Sequence, residues 1–169
     1  MKILVITSCS NKKKEIIHPK TIRADQLYEG QFFRMIRAFA RKNEYDFGII
    51  SAKYGFIMGD EQISHYNKKI ATKSDAMRVR KMSRKKLLRA FKHYDRILSF
   101  MGKKYMQVLD DFLTTEKLFY AVDHQGIGGW NRLGSLVNRL KKEYLIRKLC
   151  EEHVRIFSKE DLEKWFDLE

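Results

Sequence analysis

Ile3-Leu4-Val5-Ile6-Thr7-Ser8-Cys9-Ser10-Asn11-Lys12-Lys13-Lys14 opens the chain with four unbroken apolar residues, then hydroxyls, a thiol and lysines. An apolar run that does not alternate marks a strand covered on both faces, as in a parallel sheet. Three more runs read the same way: Phe47-Gly48-Ile49-Ile50, Ile97-Leu98-Ser99-Phe100 and Leu118-Phe119-Tyr120-Ala121-Val122. Helical spacing fills the gaps. Leu27, Phe32, Met35, Ile36, Phe39 and Ala40 form an apolar stripe before the second strand, and Val79, Met82, Leu87, Leu88 and Phe91 form one before the third. Tyr105, Met106, Leu109 and Phe112 precede the fourth strand, and Leu133, Leu136, Val137 and Leu140 follow it. This alternation predicts a three-layer, Rossmann-like α/β fold, with a mainly parallel sheet of four or more strands and helices on both faces. A short helix over about 159–166, behind Ser158 with Asp161 three residues on, closes the chain. No repeat or linker interrupts the pattern, so residues 1–169 read as one α/β domain.

The 52–73 stretch lacks a clear apolar period and contains Gly55, Gly59, Asp60, Ser64 and Asn67. A loop of this length in a small domain is commonly a lid or binding loop. It equally suits a passive wrap of the sheet edge with Phe56, Ile57 and Ile63 in the core.

With 44% hydrophobic residues and one proline, the chain has the composition of a packed domain. No apolar run nears the roughly 18 residues that cross a bilayer, and the first strand begins too early for a signal peptide. Cys9 and Cys150 stand near opposite ends in no metal-type spacing, so free thiols in a reducing cytoplasm are expected. The five histidines show no ligand spacing, and neither a Gly-x-x-x-x-Gly-Lys-Ser/Thr loop nor a Cys-x-x-Cys pair is present. Neither a metal nor a cofactor is expected, and P-loop chemistry is excluded.

Charge is the strongest compositional signal, at +14 net. Residues 68–104 hold fourteen Lys and Arg against Asp75 and Asp95, whereas 151–169 carries seven acids and three bases. Clustering of this kind attracts polyanions, and nucleic acid or a nucleotide is the expected partner, with no membrane. On the helix around 76–94, Arg78, Lys81, Lys85, Arg89 and Lys92 recur in steps of three and four, forming one stripe. Like charges at that spacing repel by a few tenths of a kcal/mol per pair. A bound polyanion would offset that repulsion, although a solvated helix face has the same pattern.

In open parallel sheets ligands gather where strands end. The four strand ends here carry Ser8, Cys9, Ser10 and Lys13, then Ser51, Lys53, Tyr54 and Gly55, then Gly102, then Asp123, His124, Gly126, Gly128 and Gly129. Lys13, Lys53 and the glycine turn suit phosphate binding. Tyr28, Tyr54 and Tyr66 offer stacking faces, or equally the rim of a core. Cys9 is a candidate nucleophile or a buried strand-end filler. Asp123 with His124 suits an acid–base pair or a turn cap, and Lys53 can supply charge or an amine.

Ser8-Cys9-Ser10-x-x-Lys13, Leu27-Tyr28 with Phe32-Phe33-Arg34, Ser51-Ala52-Lys53-Tyr54-Gly55-Phe56, Tyr66 and Gly126-Ile127-Gly128 resemble the motifs of an uncharacterised family of small prokaryotic and phage proteins. The likeness runs in order over about residues 3 to 140. Ile50 and Phe56 replace its usual leucines, and His65 stands where proline usually precedes the tyrosine. More distantly, the chain resembles a domain of archaeosine synthase, uracil-DNA-glycosylase-like domains and the peroxide-stress YaaA family. Those resemblances imply work on a nucleic-acid base. The expected function is therefore modification or cleavage of a nucleotide or base, with Cys9, Lys53 and Asp123 as catalytic candidates. The alternatives are a non-catalytic RNA- or DNA-binding domain using the 78–92 stripe, and a small-nucleotide sensor in stress or phage defence.

Overall fold

The structure, a computed structural model, describes residues 1–15, 20–121 and 156–157. Its elements begin β1 (Ile3–Ser8), β2 (Ile22–Arg23), α1 (Ala24–Leu27), α2 (Gln31–Lys42), β3 (Asp46–Ser51), β4 (Gly55–Met58) and β5 (Gln62–Ile63). They continue with α3 (Lys73–His93), β6 (Arg96–Phe100), α4 (Lys103–Met106), a 3-10 helix (Gln107–Phe112), β7 (Leu118–Ala121) and β8 (Ile156–Phe157).

The four apolar runs all form parallel strands of one sheet, in the order β4-β3-β1-β6-β7-β8. Val5 on β1 stands opposite Phe47 on β3 and Leu98 on β6, and Leu98 stands opposite Phe119 on β7. Leu4, Val5 and Ile6 are wholly buried, as burial on two faces requires. From β1 the chain crosses through α2 to β3 on one side. From β4 it crosses back through α3, past β1, to β6 on the other. Right-handed crossovers running in opposite directions put α2 and α3 on opposite faces, which gives the three layers.

Each helix is placed by the stripe it buries. On α2 the buried residues are Phe33, Ile36, Phe39 and Ala40, and the Asn43 side chain closes the end by donating to the Phe39 carbonyl. Thr72 and Asp75 start α3 as a reciprocal capping box. Its buried stripe runs Ala76, Val79, Ser83, Leu87 and Ala90, so Met82 and Leu88, expected inside, are instead 46% and 42% exposed. The stripe's small residues let α3 approach the sheet edge. There the buried Ser83 hydroxyl donates to the Val79 carbonyl and accepts the Phe56 amide.

The 52–73 stretch is only in part the loop that its composition suggests. β4 pairs antiparallel with β3, Ile49 facing Ile57, and β5 pairs with β2, so Phe56, Ile57 and Ile63 are buried. The segment expected as one helix over 105–112 divides into α4 and the 3-10 helix. Val122 and the expected helices over 133–140 and 159–166 lie outside the described residues.

Gly55 turns the chain from β3 into β4 with φ of +72°, where a side chain would meet Ser83 Oγ at 2.9 Å and Met82 at 3.2 Å. Left-handed backbone alone costs a side-chain-bearing residue roughly 1–2 kcal/mol, and displacing Ser83 also weakens its bond to Phe56. Gly55→Ala is expected to destabilise the fold by about 2–3 kcal/mol, measured as a drop in the midpoint of chemical denaturation.

Candidate functional site

Three segments converge where β1 and β6 end. The Cys9 amide continues the ladder by bonding the Ile50 carbonyl, after which the chain turns outward. Ser10 Oγ donates to the Lys12 carbonyl and accepts the Gly30 amide, tying the turn to the start of α2. Gly30 is required there, since a methyl group would lie 2.6 Å from Ser10 Cβ. Between this junction and the β6 turn opens a cleft of about 520 Å³, lined by Ser8, Cys9, Ser10, Asn11, Gly30, Gln31, Phe32, Phe33, Gly102 and Tyr105.

Its location follows from topology. The connection from β1 leads to β3 on one side, and that from β6 leads to β7 on the other, so their carboxyl ends diverge. Such a switch point is where open α/β sheets hold ligands. The first turn of α2 brings the positive end of its dipole to the cleft. Phe32 and Tyr105 supply aromatic surface, and Cys9, though 8% exposed, brings a free thiol to the cleft wall. The arrangement suits a ligand with one planar and one anionic part.

Behind the cleft lies a buried hydroxyl network. Tyr66 Oη is 2.8 Å from both Tyr28 Oη and Ser51 Oγ, and Ser51 Oγ also accepts the amides of Lys53 and Tyr54. The Tyr54 hydroxyl donates to the Ser64 carbonyl. Tyr105 Oη accepts the Ile70 amide and lies 3.3 Å from Cys9 Sγ. Residues 64–71 therefore form a strap across the carboxyl edge, held by the β3 turn at one end and the β6 turn at the other. Lys13 Nζ sits 4.6 Å from the Tyr66 ring centre and Lys53 Nζ 6.0 Å from it. Burial holds Lys13 below the ordinary lysine range.

Of the expected site residues, Ser8, Cys9, Ser10 and Gly102 line the cleft, and Lys13 and Lys53 flank Tyr66 beside it. Tyr28 is wholly buried and Tyr66 is 6% exposed, so neither has a face free for stacking; both serve the hydroxyl network. Ser51 is likewise buried and bonds the turn. Gly55 packs on α3 and offers no open backbone. Tyr54 is half-buried, its ring 5.5 Å from that of Tyr66. Asp123, His124, Gly126, Gly128 and Gly129 lie outside the described residues. Gly30, Gln31, Phe32 and Tyr105 line the cleft without having been expected there; the Gly30-Gln31-Phe32-Phe33 junction into α2 was the visible signal for the first three.

The basic stripe is also partly redistributed. Arg78 turns inward and donates to the Ala52 carbonyl. Lys81, Lys85, Arg89 and Lys92 are exposed and form no ion pair with a described residue. Their neighbours are neutralised, Arg80 by Asp110 and Asp111, Arg84 by Asp111 and Lys86 by Glu61. Among the described residues, no cluster of His, Cys, Asp or Glu fits a metal, and no helix is long and apolar enough to cross a membrane.

A parallel sheet layered by helices, with its cleft at the switch point, defines a Rossmann-like α/β protein with a strand-end pocket. The chain belongs to a family of unknown function, DUF6884, whose model matches residues 3–137. No curated protein and no solved structure matches it significantly.

Burial, acting first, and the neighbouring Cys9, acting second, raise the Tyr28, Tyr66 and Tyr105 phenols above their ordinary 10.0. A phenol whose folded value is raised stabilises the fold fully below its unfolded value and loses that contribution as pH climbs through the folded one. Stability is therefore expected to fall above about pH 10. In an ultraviolet titration of phenolate absorbance, Tyr28, Tyr66 and Tyr105 should ionise only as the protein unfolds. Tyr66→Phe should remove one of the late-ionising phenols and destabilise by about 1–3 kcal/mol, through the partners left in the network.

Proposed function

We propose that this protein binds a nucleotide or nucleobase in the cleft between β1 and β6 and modifies or cleaves it there. The observation that carries the reading is the meeting of the Ser8–Asn11 turn, the amino end of α2 and the β6 turn at the switch point, around a cleft large enough for one base. In this reading Phe32 and Tyr105 hold the planar ring, and the first turn of α2, with Lys13 beside it, receives the phosphate. Cys9 is the reacting group, its sulfur sharing a hydrogen bond with the Tyr105 hydroxyl. Lys53 stands on the rim beside Tyr66, placed to add charge to the anionic end.

Calorimetry with a panel of free bases, nucleosides and nucleotides tests the reading. A stacking partner is worth roughly 1–3 kcal/mol by alanine substitution, so Phe32→Ala should weaken the best ligand about 5- to 150-fold. Cys9→Ser should leave affinity within about twofold while removing turnover. Lack of binding by any member of the panel would sink the proposal, and full turnover by Cys9→Ser would make Cys9 structural.

A second reading is a polyanion-binding domain without chemistry. It is favoured by Lys81, Lys85, Arg89 and Lys92 on α3, which have no ion-pair partner among the described residues, in contrast with their neutralised neighbours. Replacing these four with glutamine should then flatten the plot of log K against log[salt] for a DNA duplex by about 0.9 for each phosphate no longer neutralised. An unchanged slope would remove α3 from consideration.

A further inference from the structure

We infer that the cleft takes its base from within a polynucleotide strand, and that the lysine-rich rim around its mouth holds the strand's backbone. This rests on the reading of the cleft as a base pocket, and it adds the class of substrate. The segments that frame the mouth are Cys9–Lys13, Tyr28–Gln31, Ser51–Tyr54, Ser64–Lys73 and Met101–Tyr105. Together they carry eight lysines and one acid, Glu29, whereas the whole chain has 35 basic residues to 21 acidic. These segments are thus richer in positive charge than the chain as a whole.

Five of the rim lysines are tied to the cleft by their neighbours. Lys12 follows Asn11, and Lys103 follows Gly102, both cleft-lining residues. Lys68 and Lys69 lie on the strap just before Ile70, whose amide bonds the cleft residue Tyr105. The Lys104 ammonium fastens the β6 turn to the strap by donating to the Ala71 carbonyl. Lys12, Lys68, Lys69 and Lys103 are exposed, and none has an ion-pair partner among the described residues. The nearest acid beyond the strap, Asp75, is occupied by the amides of Ala71 and Thr72.

A free mononucleotide has its single phosphate cluster met at the cleft by the α2 amino end, with Lys13 beside it. It leaves the outer lysines with nothing to neutralise, and like charges held together in a folded rim repel one another. A strand running across the mouth supplies a phosphate on either side of the inserted base. A charged rim with aromatic surface at its centre is the usual way proteins hold single strands. Taking one base out of the stack is how enzymes reach a base in a strand. An anionic bilayer would meet the same charge but leave an aromatic cleft of base size unused, so a nucleic-acid strand is the better fit.

The test uses the full chain, a fluorescein-labelled twelve-residue single strand in RNA and DNA forms, and phosphatidylserine vesicles. Anisotropy titrations from 25 to 200 mM salt would compare the parent with a rim variant (Lys12→Gln, Lys68→Gln, Lys69→Gln, Lys103→Gln) and an α3 variant (Lys85→Gln, Arg89→Gln, Lys92→Gln), where those salt limits are about the range over which phosphate contacts govern affinity. The rim variant should lower the salt slope by about 0.7 for each phosphate it no longer neutralises, while the α3 variant keeps the parent's slope. Phe32→Ala should weaken strand binding at an unchanged slope. The inference is overturned if the rim variant keeps the parent slope, if the α3 variant alone flattens it, or if vesicles bind and strands do not. Calorimetry with mononucleotides keeps the two readings apart. Normal mononucleotide binding with a rim-independent strand slope refutes the rim alone, whereas absent mononucleotide binding refutes the pocket.

Discussion

The Tyr66 hydroxyl is the point on which the carboxyl edge of the sheet depends. It bonds Tyr28, which precedes α2, and Ser51, which ends β3, and so joins three parts of the chain that are distant in sequence. All three residues are buried, and a buried polar network holds its geometry firmly only when every member is satisfied. Around it the strap is fixed at Ser64 and Ile70, and the strap leads directly into the Thr72 cap that starts α3. The cleft owes its shape to this arrangement. Its floor belongs to the core, and its walls are turns held by the hydrogen bonds of Ser10 and Tyr105.

Four of the five parallel strands were legible because burial on both faces leaves unbroken apolar runs; β8, two residues long, was not. β4 was not, because Phe56, Ile57 and Met58 are short and follow a turn. Antiparallel pairing with β3 made that segment a strand. At the site, the strand-end rule reached Ser8, Cys9, Ser10 and Gly102. It missed Phe32 because the apolar stripe placed that residue toward the core, whereas its neighbour Phe33, about 100° further round the helix, is the one that faces it. Phe32 is left at the cleft. Tyr28 and Tyr66 read as stacking surfaces because an aromatic residue does not reveal its hydroxyl's partner in sequence. Arg78 had the right angular position for the stripe, but its length lets it fold back to the Ala52 carbonyl.

Net charge, taken as one number, conceals two different arrangements. Along α3, acids from other elements answer Arg80, Arg84 and Lys86, so that part of the helix is locally balanced. At the carboxyl edge the lysines sit mostly on turns, where acidic neighbours are scarce among the described residues. The long-range field is therefore directed by chain topology, because turns after parallel strands all emerge on one side of the sheet.

The contact between Gly30 and Ser10 bears on how such a pocket can diversify. The Ser10 side chain already sits against the Gly30 backbone, leaving no space for an added carbon at that junction. Widening or narrowing the opening by sliding the helix would mean rebuilding β1's exit. The width of the opening at this junction is therefore open to change through the side chains that line it, Asn11, Gln31 and Phe32, rather than through the path of the backbone.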